Sequence, residues 1–475
     1  MTELTPPLDA LARIVGPENV LSEPDRPNTG MFRTRRIRGV VRPATVDEAR
    51  QVVATPGAGP LHAISTGRNW GLGSHHAPQD DAVLLDLGRL AAVREIDLTA
   101  GWAVVEPGVT QGMLSELLDG TERMVNVTVS AAETSVLGNA LDRGSGLRHQ
   151  RVHDLAGLEV VLPDGELVRV GWWPDREKAT PVYPHGLGPS LLQLFVQSSF
   201  GVVTAAAIRL LPRPEALRVI RMAFEPDVLD HAADALRRWV HQGLVRGVPK
   251  IFDQITSRPY GGDPGKYLVH VCVDGTTESV AALVRVITAE ARATGLFSGI
   301  SHTEATEPAH PNHETAVLVE RGYAGDPDVR NTVFEAKTGH APAEVDEKIG
   351  LASFLPLIPF NGKKIALADR LLREVSEQTG VRAATTLHVL DQDVVESVVG
   401  LRFDRDDEAG VAAAHRALDL LYQRFTAAGF IPYRLDVDHA DWRERLHTDP
   451  AATALTRRLK NFLDPDGTIV HGRYH

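Results

Sequence analysis

The first half of the chain alternates short apolar runs with glycine-containing turns, a pattern typical of β-structure. The runs that predict strands are LHAIST, AVLLDLGRL, VREIDLTAG and AVVEPGV. LAGLEVVLPDGELVRVG predicts a hairpin, because Pro163, Asp164 and Gly165 form a turn between two β-rich segments. Pro212 and Pro214 close a further strand, so the first domain is expected to end there.

Helical spacing of apolar residues interrupts these strands in several places. TVDEARQVVA begins with a threonine cap and early acidic residues, which predicts a helix. VTQGMLSELL predicts another, with Met113, Leu114, Leu117 and Leu118 on one face. SLLQLFVQSS predicts a third helix, which stops before Gly201.

From about residue 216 the pattern changes to longer amphipathic helices, VLDHAADALRRWVHQ and SVAALVRVITAEARATG, with strands KYLVHVCVDG and VVESVVGLRFD between them. This alternation predicts an α+β unit with helices on one face of an antiparallel sheet. After Gly429 the chain returns to short elements. We therefore expect a first domain at 1–214, an inserted unit at 215–429, and a C-terminal segment at 430–475 that returns to the first domain.

Composition and charge narrow the classes of function. The chain has 475 residues, a net charge of -12 and a single cysteine, Cys272. The acidic balance argues against a nucleic-acid-binding face, which needs clustered Lys and Arg, and no polybasic patch suggests a membrane surface. One cysteine excludes an internal disulfide and Cys-rich metal sites. Its alternating surroundings predict a buried packing role, with a catalytic thiol as the alternative. A small molecule is the expected partner.

The N-terminus and the apolar runs of the chain are unlike signals for export or membrane insertion. MTELTPPLDALARIVG lacks a basic region followed by an apolar core. No apolar run reaches the roughly 18 residues of a spanning helix. The expected location is therefore the cytoplasm.

A glycine-rich segment, TGRNWGLGSHHA, directly follows a predicted strand. Gly67, Gly71 and Gly73 allow positive φ and let backbone N–H groups converge on phosphate oxygens. A tight connection between strands is the alternative. The segment is not GxGxxG and no βαβ pattern follows it, which disfavours a Rossmann dinucleotide site. No His, Asp or Glu cluster has a ligand spacing such as HExxH, so no metal is expected.

Several segments, taken in order, resemble a known family. They are VRPATVDEARQVV, ISTGRNWGLGS, VLLDLGRL, VVEPGV, ETSVLGNALDRGSG, LEVVLPDGELVRVG and SFGVVTAAAIRLLPRP, and they are similar to the FAD domain of the vanillyl-alcohol oxidase and p-cresol methylhydroxylase superfamily. The tail, PYRLDVDHADW followed by LKNFLDPDGTIVHGRY, is similar too. The resemblance implies an α+β fold, with a two-subdomain FAD-binding domain of the p-cresol methylhydroxylase type and an inserted α+β cap.

The resemblance also implies which residues contact FAD. The residues that match the family's cofactor-contacting segments are Ser65, Thr66, Gly67, Arg68, Asn69, Gly71, Gly73 and Ser74 in the pyrophosphate loop, Pro107, Gly108 and Val109 along the cofactor, Gly138, Asn139, Arg143 and Gly144 in a second turn, and Gly201, Val202 and Val203 on a strand. For the apolar members of this set, simple packing is the alternative.

Tyr433 and Arg434, in GFIPYRLDVDH, are the most informative pair. In phenol-oxidising members of the family this dipeptide lies over the flavin. The resemblance implies that Arg434 steadies negative charge on the reduced ring and that Tyr433 bonds a substrate phenolate. A fixed guanidinium near a developing negative charge lowers the barrier to hydride transfer.

Departures from the family pattern limit what can be carried over. Glu396 and Ser397 stand near the position of a histidine that links covalently to flavin in some members, and Asn69 stands where others place a linking histidine. FAD is therefore expected to be non-covalent, although His75 and His76 leave a linkage open.

Two further departures concern the substrate. Leu72 replaces a tyrosine of the glycine loop in phenol oxidisers, which removes one expected phenolate hydrogen bond. The segment LRHQRVHDLAGLE differs from the family's stretch with an active-site aspartate, so His149, His153 and Asp154 become candidates for a catalytic base, with structural roles as the alternative. The weaker candidates are His388, Asp391 and His439.

The leading hypothesis is an FAD-dependent oxidoreductase, either an oxidase or a dehydrogenase. Hydride would move from a small organic substrate, phenolic or an alcohol, to flavin N5, and oxygen or another acceptor would reoxidise the flavin. A flavin-dependent cyclase or desaturase of natural-product biosynthesis and a non-catalytic FAD-binding protein are the alternatives. A homodimer is the candidate assembly.

Overall fold

The computed structural model describes residues 6–23, 29–175, 177–178, 181–303, 312–446 and 449–474. The β-strands are β1 Val20–Leu21, β2 Ile37–Val41, β3 Leu61–Ile64, β4 Ala82–Asp86, β5 Val93–Asp97, β6 Trp102–Val105, β7 Arg123–Met124, β8 Leu155–Val161, β9 Leu167–Gly171, β10 Val202–Arg209, β11 Leu211–Pro212, β12 Ala216–Phe224, β13 Lys250–Phe252, β14 Tyr267–Gly275, β15 Ser298–Ser301, β16 Gly350–Pro359, β17 Ala383–Val389, β18 Val394–Phe403 and β19 Pro432–Arg434. The α-helices are α1 Pro6–Val15, α2 Val46–Val53, α3 Gln111–Leu117, α4 Val136–Leu141, α5 Leu229–His241, α6 Thr277–Thr294, α7 His313–Tyr323, α8 Thr332–Thr338, α9 Pro342–Lys348, α10 Gly362–Thr379, α11 Glu408–Ala427, α12 Trp442–Leu446 and α13 Pro450–Leu463.

The first sheet has the strand order β1-β2-β4-β3, and β4 pairs in parallel with both β2 and β3. Helix α2 makes the crossover. Thr45 caps it by accepting from Glu48 N, and the Glu48 side chain reaches back to accept from Ala44 N, just before the cap. The glycine-rich loop leaves the carboxyl end of β3, the edge where parallel sheets bind ligands. The sequence pattern did not predict this parallel pairing.

The second sheet has the order β5-β6-β10-β8-β9 and is antiparallel throughout its pairs. The predicted hairpin is confirmed as β8 and β9, with Val161 opposite Leu167. Every residue of β8 is buried, because the first sheet covers one face and helices α3 and α4 lie near the other.

Two helix predictions in this domain were wrong in part. In α3, Leu114 and Leu118 are buried, whereas Met113 and Leu117 are 45% and 51% exposed. The apolar face is therefore narrower than the predicted one. The segment before Gly201 forms only a 3-10 turn at Leu192–Phe195, since that single turn already buries its two large apolar ends.

The inserted unit is built on an eight-stranded sheet of order β15-β12-β14-β13-β17-β18-β16-β19, which we call the cap sheet. Helices α5, α6, α10 and α11 pack on one face of it around a core that includes Trp239, Phe354 and Tyr422. This agrees with the prediction of helices on one face of an antiparallel sheet. Cys272 lies fully buried in β14, and burial raises the pKa of its thiol to about 12, as suits a packing role.

The opposite face of the cap sheet is turned toward the first domain. In the register of the strands, Lys250 of β13 lies opposite His388 of β17, and His388 lies opposite Glu396 of β18. Directly opposed residues on neighbouring strands share a face. Three titratable side chains are thus brought side by side by strand pairing.

The C-terminal segment contacts both units. Strand β19 pairs with β16 and extends the cap sheet, with Leu355 opposite Arg434. Farther on, Ile469 bridges to Leu61 in the first sheet. The expected return at residue 430 therefore begins with a strand of the cap sheet. None of the helices in the described part of the chain has the length and apolarity that a bilayer crossing requires.

Candidate active site

A cavity of about 490 Å³ lies between the first domain, the cap sheet and the C-terminal segment. Its upper wall is the glycine-rich loop and the segment around α4. Its floor is the inner face of the cap sheet, and residues 469–474 close one side. The cavity therefore has one wall rich in small polar residues and one wall of titratable side chains.

The glycine-rich loop gives the cavity its close backbone approach. Ser65, Thr66, Gly67, Arg68, Asn69 and Ser74 all line the cavity. Gly67 has φ 67, a left-handed conformation that favours glycine. On the facing turn, a Cβ at Gly138 would overlap Ser65 Oγ, so this position admits only glycine unless Ser65 moves.

Two polar atoms on this wall fit a large polar ligand such as FAD. Asn139 Oδ1 and Ser198 Oγ are buried, belong to cavity-lining residues, and have no hydrogen-bond partner among the described residues. A buried polar atom without a partner costs about 1–3 kcal/mol, which a ligand hydrogen bond removes. The residues present therefore fit the dinucleotide that the sequence resemblance implies.

The other residues expected to contact FAD fall into two groups, those that line the cavity and those that do not. Pro107, Gly201 and Val203 line it. Those that do not are Gly71, Gly73, Gly108, Val109, Arg143, Gly144 and Val202. A Cβ at Gly71 would overlap Ser353 of the cap sheet, and one at Gly108 would overlap the Gly88 carbonyl, so these glycines permit close packing of segments. Val109 and Val202 are core residues.

Asp142 is the centre of a hydrogen-bond network at the cavity wall. Its Oδ2 accepts from Arg434 Nη2 at 2.5 Å and from Asn69 Nδ2 at 2.9 Å. Its Oδ1 accepts from Tyr474 Oη at 2.7 Å and from Arg473 Nη2 at 3.2 Å. Burial alone would favour the neutral acid, but the two guanidinium groups outweigh it and lower the pKa of Asp142 to about 2. Asp142 thus fixes Arg434, which is 8% exposed, in the wall.

A second network runs from the floor to Tyr433, which does not itself line the cavity. Tyr433 Oη donates to Glu396 Oε1 at 2.6 Å. His388 Nδ1 lies 3.3 Å from Glu396 Oε2, and Lys250 Nζ lies 3.2 Å from His388 Nε2. An ionised carboxylate can only accept, so His388 Nδ1–H donates to Glu396 and His388 Nε2 accepts from Lys250 Nζ. The donors and acceptors form one consistent chain from Lys250 to Tyr433.

The charge states on the floor follow from this chain. Burial would raise the pKa of Glu396, but the hydrogen bond of His388, together with the charge that His388 carries once it is protonated in acid, outweighs burial and brings the pKa to about 2. Burial and the nearby Lys250 lower the pKa of His388 to about 4. At neutral pH the floor therefore holds an ionised Glu396 beside a neutral His388. Burial and the charge of Lys337 lower the pKa of Lys250 to about 7.

The candidate bases from the sequence lie elsewhere. His149 Nε2 is 2.6 Å from Asp154 Oδ1, and Asn126 donates to the other oxygen of Asp154. His149, His153 and Asp154 do not line the cavity. Among the weaker candidates, His388 does line it, whereas Asp391 caps a turn and His439 bonds Asp436 and Asp419.

The residues that bear on flavin linkage and substrate binding differ in whether they reach the cavity. His75 lines the cavity and His76 does not, and their rings lie 4.0 Å apart. Leu72 lines the cavity with 1% exposure, so this position offers no hydroxyl to a substrate. Ser397 bonds Thr385 and does not line the cavity. A non-covalent FAD stays a prediction.

Sequence reasoning missed several residues of the site. Asp142 stands inside the motif ETSVLGNALDRGSG, between Asn139 and Arg143, both of which were expected to contact FAD. Arg473 and Tyr474 stand at the end of the tail segment LKNFLDPDGTIVHGRY. Lys250 and Lys337 carried no motif, and only the register of the cap sheet brings Lys250 to the cavity. Within the described ranges, no group of three or more His, Cys, Asp or Glu residues could hold a metal ion.

Comparisons with known proteins agree with this geometry. Residues 37–171 match a family model for an FAD binding domain. The chain is 27% identical over 505 residues to a 1'-carboxy-chondrochloren decarboxylase of Chondromyces crocatus, covering 93% of this chain and 91% of the relative. It is 24% identical over 445 residues to the 4-cresol dehydrogenase [hydroxylating] flavoprotein subunit of Pseudomonas putida, covering 87% of this chain and 82% of the relative.

Solved structures share the fold. A 4-ethylphenol oxidase from Gulosibacter chungangensis, in an isoeugenol complex, has a TM-score of 0.86 at 22% identity and covers 98% of this chain and 95% of its own. p-Cresol methylhydroxylase with substrate bound also has a TM-score of 0.86 at 22% identity and covers 98% and 96%. The FAD binding domain at residues 37–171 and the FAD-linked relatives identify the chain as an FAD-dependent oxidoreductase, and its fold is that of the 4-ethylphenol oxidase and p-cresol methylhydroxylase structures.

Proposed function

We propose that the enzyme oxidises a small hydroxylated organic substrate, a phenol or an alcohol, held between Arg434 and the floor of the cavity. One observation carries this proposal. The neighbouring residues Tyr433 and Arg434 on β19 reach opposite sides, since Arg434 bonds Asp142 of the first domain and Tyr433 bonds Glu396 of the cap sheet. The dipeptide thus connects the upper wall of the cavity, where we place the cofactor, to its floor, where we place the substrate.

On the cofactor wall, Arg434 provides fixed positive charge. Bound FAD supplies an acceptor for the hydride and its two electrons. Buried beside Asp142, Arg434 has a raised pKa and stays charged at every working pH. A preorganised cation of this kind stabilises negative charge that develops on the cofactor side.

On the floor, Glu396 provides fixed negative charge. A substrate that loses hydride becomes electron-poor at the reacting carbon and at the hydroxyl attached to it or conjugated with it. Glu396 lines the cavity and is 2% exposed, so its carboxylate can accept a hydrogen bond from that hydroxyl in a site shielded from water. Tyr433 and His388 hold the carboxylate in place.

The proposal is tested with purified holoenzyme under anaerobic conditions. Members of a panel of 4-alkylphenols, benzylic alcohols, amines and sugars are added one at a time, and bleaching of the oxidised flavin absorption is followed. We expect phenols or alcohols to bleach the flavin. Bleaching by amines alone would contradict the proposed substrate class.

Oxidative decarboxylation is a second candidate, favoured by the likeness to a decarboxylase over 93% of the chain. Hydride leaves the carbon next to the one that bears a carboxylate, the bond to the carboxylate supplies the electrons of a new C=C bond, and CO2 departs. No base is needed, because the carboxylate carries away the charge. CO2 release in step with flavin reduction distinguishes this reaction from simple oxidation.

The remaining expectations are part of the same proposal. Oxygen or another acceptor reoxidises the flavin, the chain works as a homodimer, and it acts in the cytoplasm. Oxygen uptake during turnover, sedimentation of the holoenzyme and cell fractionation test these three points separately.

A further inference from the structure

Two lysines face the cavity from the inserted unit. Lys250 lies on β13 and is 3% exposed, and Lys337 lies in the last turn of α8. Both line the cavity of about 490 Å³, and both also line a smaller cavity of about 60 Å³ beside it. The lysine pair therefore lies where the two spaces meet.

Neither ammonium group contacts a carboxylate among the described residues. Lys250 Nζ has His388 Nε2 as its partner at 3.2 Å. Lys337 Nζ lies 4.9 Å from the centre of the Tyr260 ring. The acids nearby are engaged elsewhere, since Glu396 accepts from Tyr433 and His388, and Asp328 accepts from the backbone of Val333 at 2.8 Å.

Such a pair is costly without a partner. Each charge repels the other, and burial removes the water that would solvate it. Burial lowers the pKa of Lys337 to about 8, and that of Lys250 is lowered as well. An anion between the two lysines would reverse both effects at once.

We infer that the substrate is an organic acid whose carboxylate is bound by Lys250 and Lys337. A charged lysine has three N–H donors, and Lys250 uses one of them on His388, so donors remain for carboxylate oxygens. This inference rests on the proposed function, because it names the class of substrate for the same site.

The smaller cavity adds a second feature to that substrate. Its walls are mostly apolar, with Leu147, Leu318 and Phe334 among them, and the polar residues Asp328 and Asn331 also line it. A carboxylate at the lysine pair therefore lies next to a chamber for a short apolar group. The substrate class is an amphipathic acid with its hydroxylated part toward Glu396.

A phosphate of FAD is the competing occupant. The glycine-rich loop that suits phosphate belongs to the first domain, whereas the lysines belong to the cap sheet and α8. Lysine variants can separate the two occupants. If the lysines bound a phosphate of FAD, their substitution would release FAD, whereas substitution of lysines that bind a substrate carboxylate would leave FAD bound.

The test uses two probes that differ only in charge, 3-(4-hydroxyphenyl)propanoate and 3-(4-hydroxyphenyl)propanamide. Each is titrated calorimetrically into holoenzyme whose flavin was reduced beforehand under argon, so binding is measured without turnover. Wild type is compared with Lys250→Met, Lys337→Met and the control Lys364→Met, whose side chain is exposed on α10. Methionine keeps the length of the side chain and removes the charge.

We expect the acid to bind wild type at least about tenfold more tightly than the amide. Either lysine variant should lose that preference while keeping its FAD and its affinity for the amide, and Lys364→Met should behave as wild type. Equal affinity of the two probes for wild type, or loss of FAD from both lysine variants, would overturn the inference. The proposed function is tested separately by flavin bleaching. If neutral phenols or alcohols bleach the flavin but the acid binds no more tightly than the amide, the proposed function stands and the lysine inference fails. If the acid is preferred through the lysines but no substrate bleaches the flavin, the proposed function fails and the lysine inference stands.

Discussion

The hydroxyl of Tyr433 donates to Glu396 Oε1 over 2.6 Å, so the strand β19 holds an ionised acid of the cavity floor that faces the proposed substrate position. In the phenol-oxidising relatives implied by sequence, the matching tyrosine would bond substrate directly. Here its hydroxyl is already used within the protein. We therefore expect Tyr433 to act by positioning Glu396, and Glu396 to make the substrate contact in its place.

Glu396→Gln should slow reduction of the bound flavin by about 100-fold, because the amide keeps the shape of the side chain but loses the charge that faces an electron-poor substrate. Tyr433→Phe should slow it less, since the carboxylate remains and only its orientation is relaxed. Single-turnover bleaching under anaerobic conditions measures both rates. Equal rates in Glu396→Gln and wild type would remove Glu396 from the mechanism.

Asp142 should make the protein sensitive to acid. Its folded pKa of about 2 lies below the ordinary value of 3.8, so its contribution is fully present above pH 4 and is lost as pH falls toward 2. The lowered pKa corresponds to a contribution of Asp142 to the free energy of unfolding on the order of 2 kcal/mol. Glu396 acts in the same window, so the comparison needs Asp142→Asn beside wild type.

Urea unfolding at pH 6, 4 and 3 measures how the free energy of unfolding changes with pH in wild type and in Asp142→Asn. Asp142→Asn should be less stable than wild type at pH 6, because Arg434 and Arg473 lose a buried counterion, and the gap should narrow at pH 3. A gap that stays constant with pH would mean that Asp142 acts through packing alone.

Asn139 is expected to bind FAD through its buried, unpartnered Oδ1. Asn139→Ala should weaken FAD binding by about tenfold, which is the scale of one hydrogen bond. Gly138→Ala should weaken it as well, because the added Cβ overlaps Ser65 Oγ and displaces the loop. Fluorescence titration of the apoprotein with FAD measures both affinities. Gly120→Ala is the control, because its added Cβ meets no neighbouring atom and any strain from the positive φ at this position lies in a turn away from the cofactor.

The flavin should be released when the holoenzyme is precipitated with acid, leaving a yellow supernatant and a colourless pellet. A yellow pellet would show a covalent bond. His75→Ala would then test the linkage, because His75 lines the cavity and His76 does not.

The sequence predicted the parts of this protein that depend on contiguous segments. The hairpin of β8 and β9, the glycine-rich loop and the Tyr433–Arg434 dipeptide each lie within one motif. The floor could not be predicted in this way, since Lys250, His388 and Glu396 come from three strands whose register no local pattern specifies. Asp142 was missed for a similar reason, because two of its partners, Arg473 and Tyr474, lie 331 and 332 positions away. The parallel pairing of β2 and β4 was missed because short apolar runs look alike in parallel and antiparallel sheets.

We propose that Arg434 assists hydride transfer and does not merely hold FAD. Arg434→Ala and wild type are loaded with FAD, the flavin content of each is measured, and the anaerobic rate of flavin reduction per bound flavin is recorded with the best substrate of the panel. We predict that the rate falls by about 100-fold while the variant retains most of its FAD. An unchanged rate per bound flavin, whether or not FAD is lost, would contradict the account.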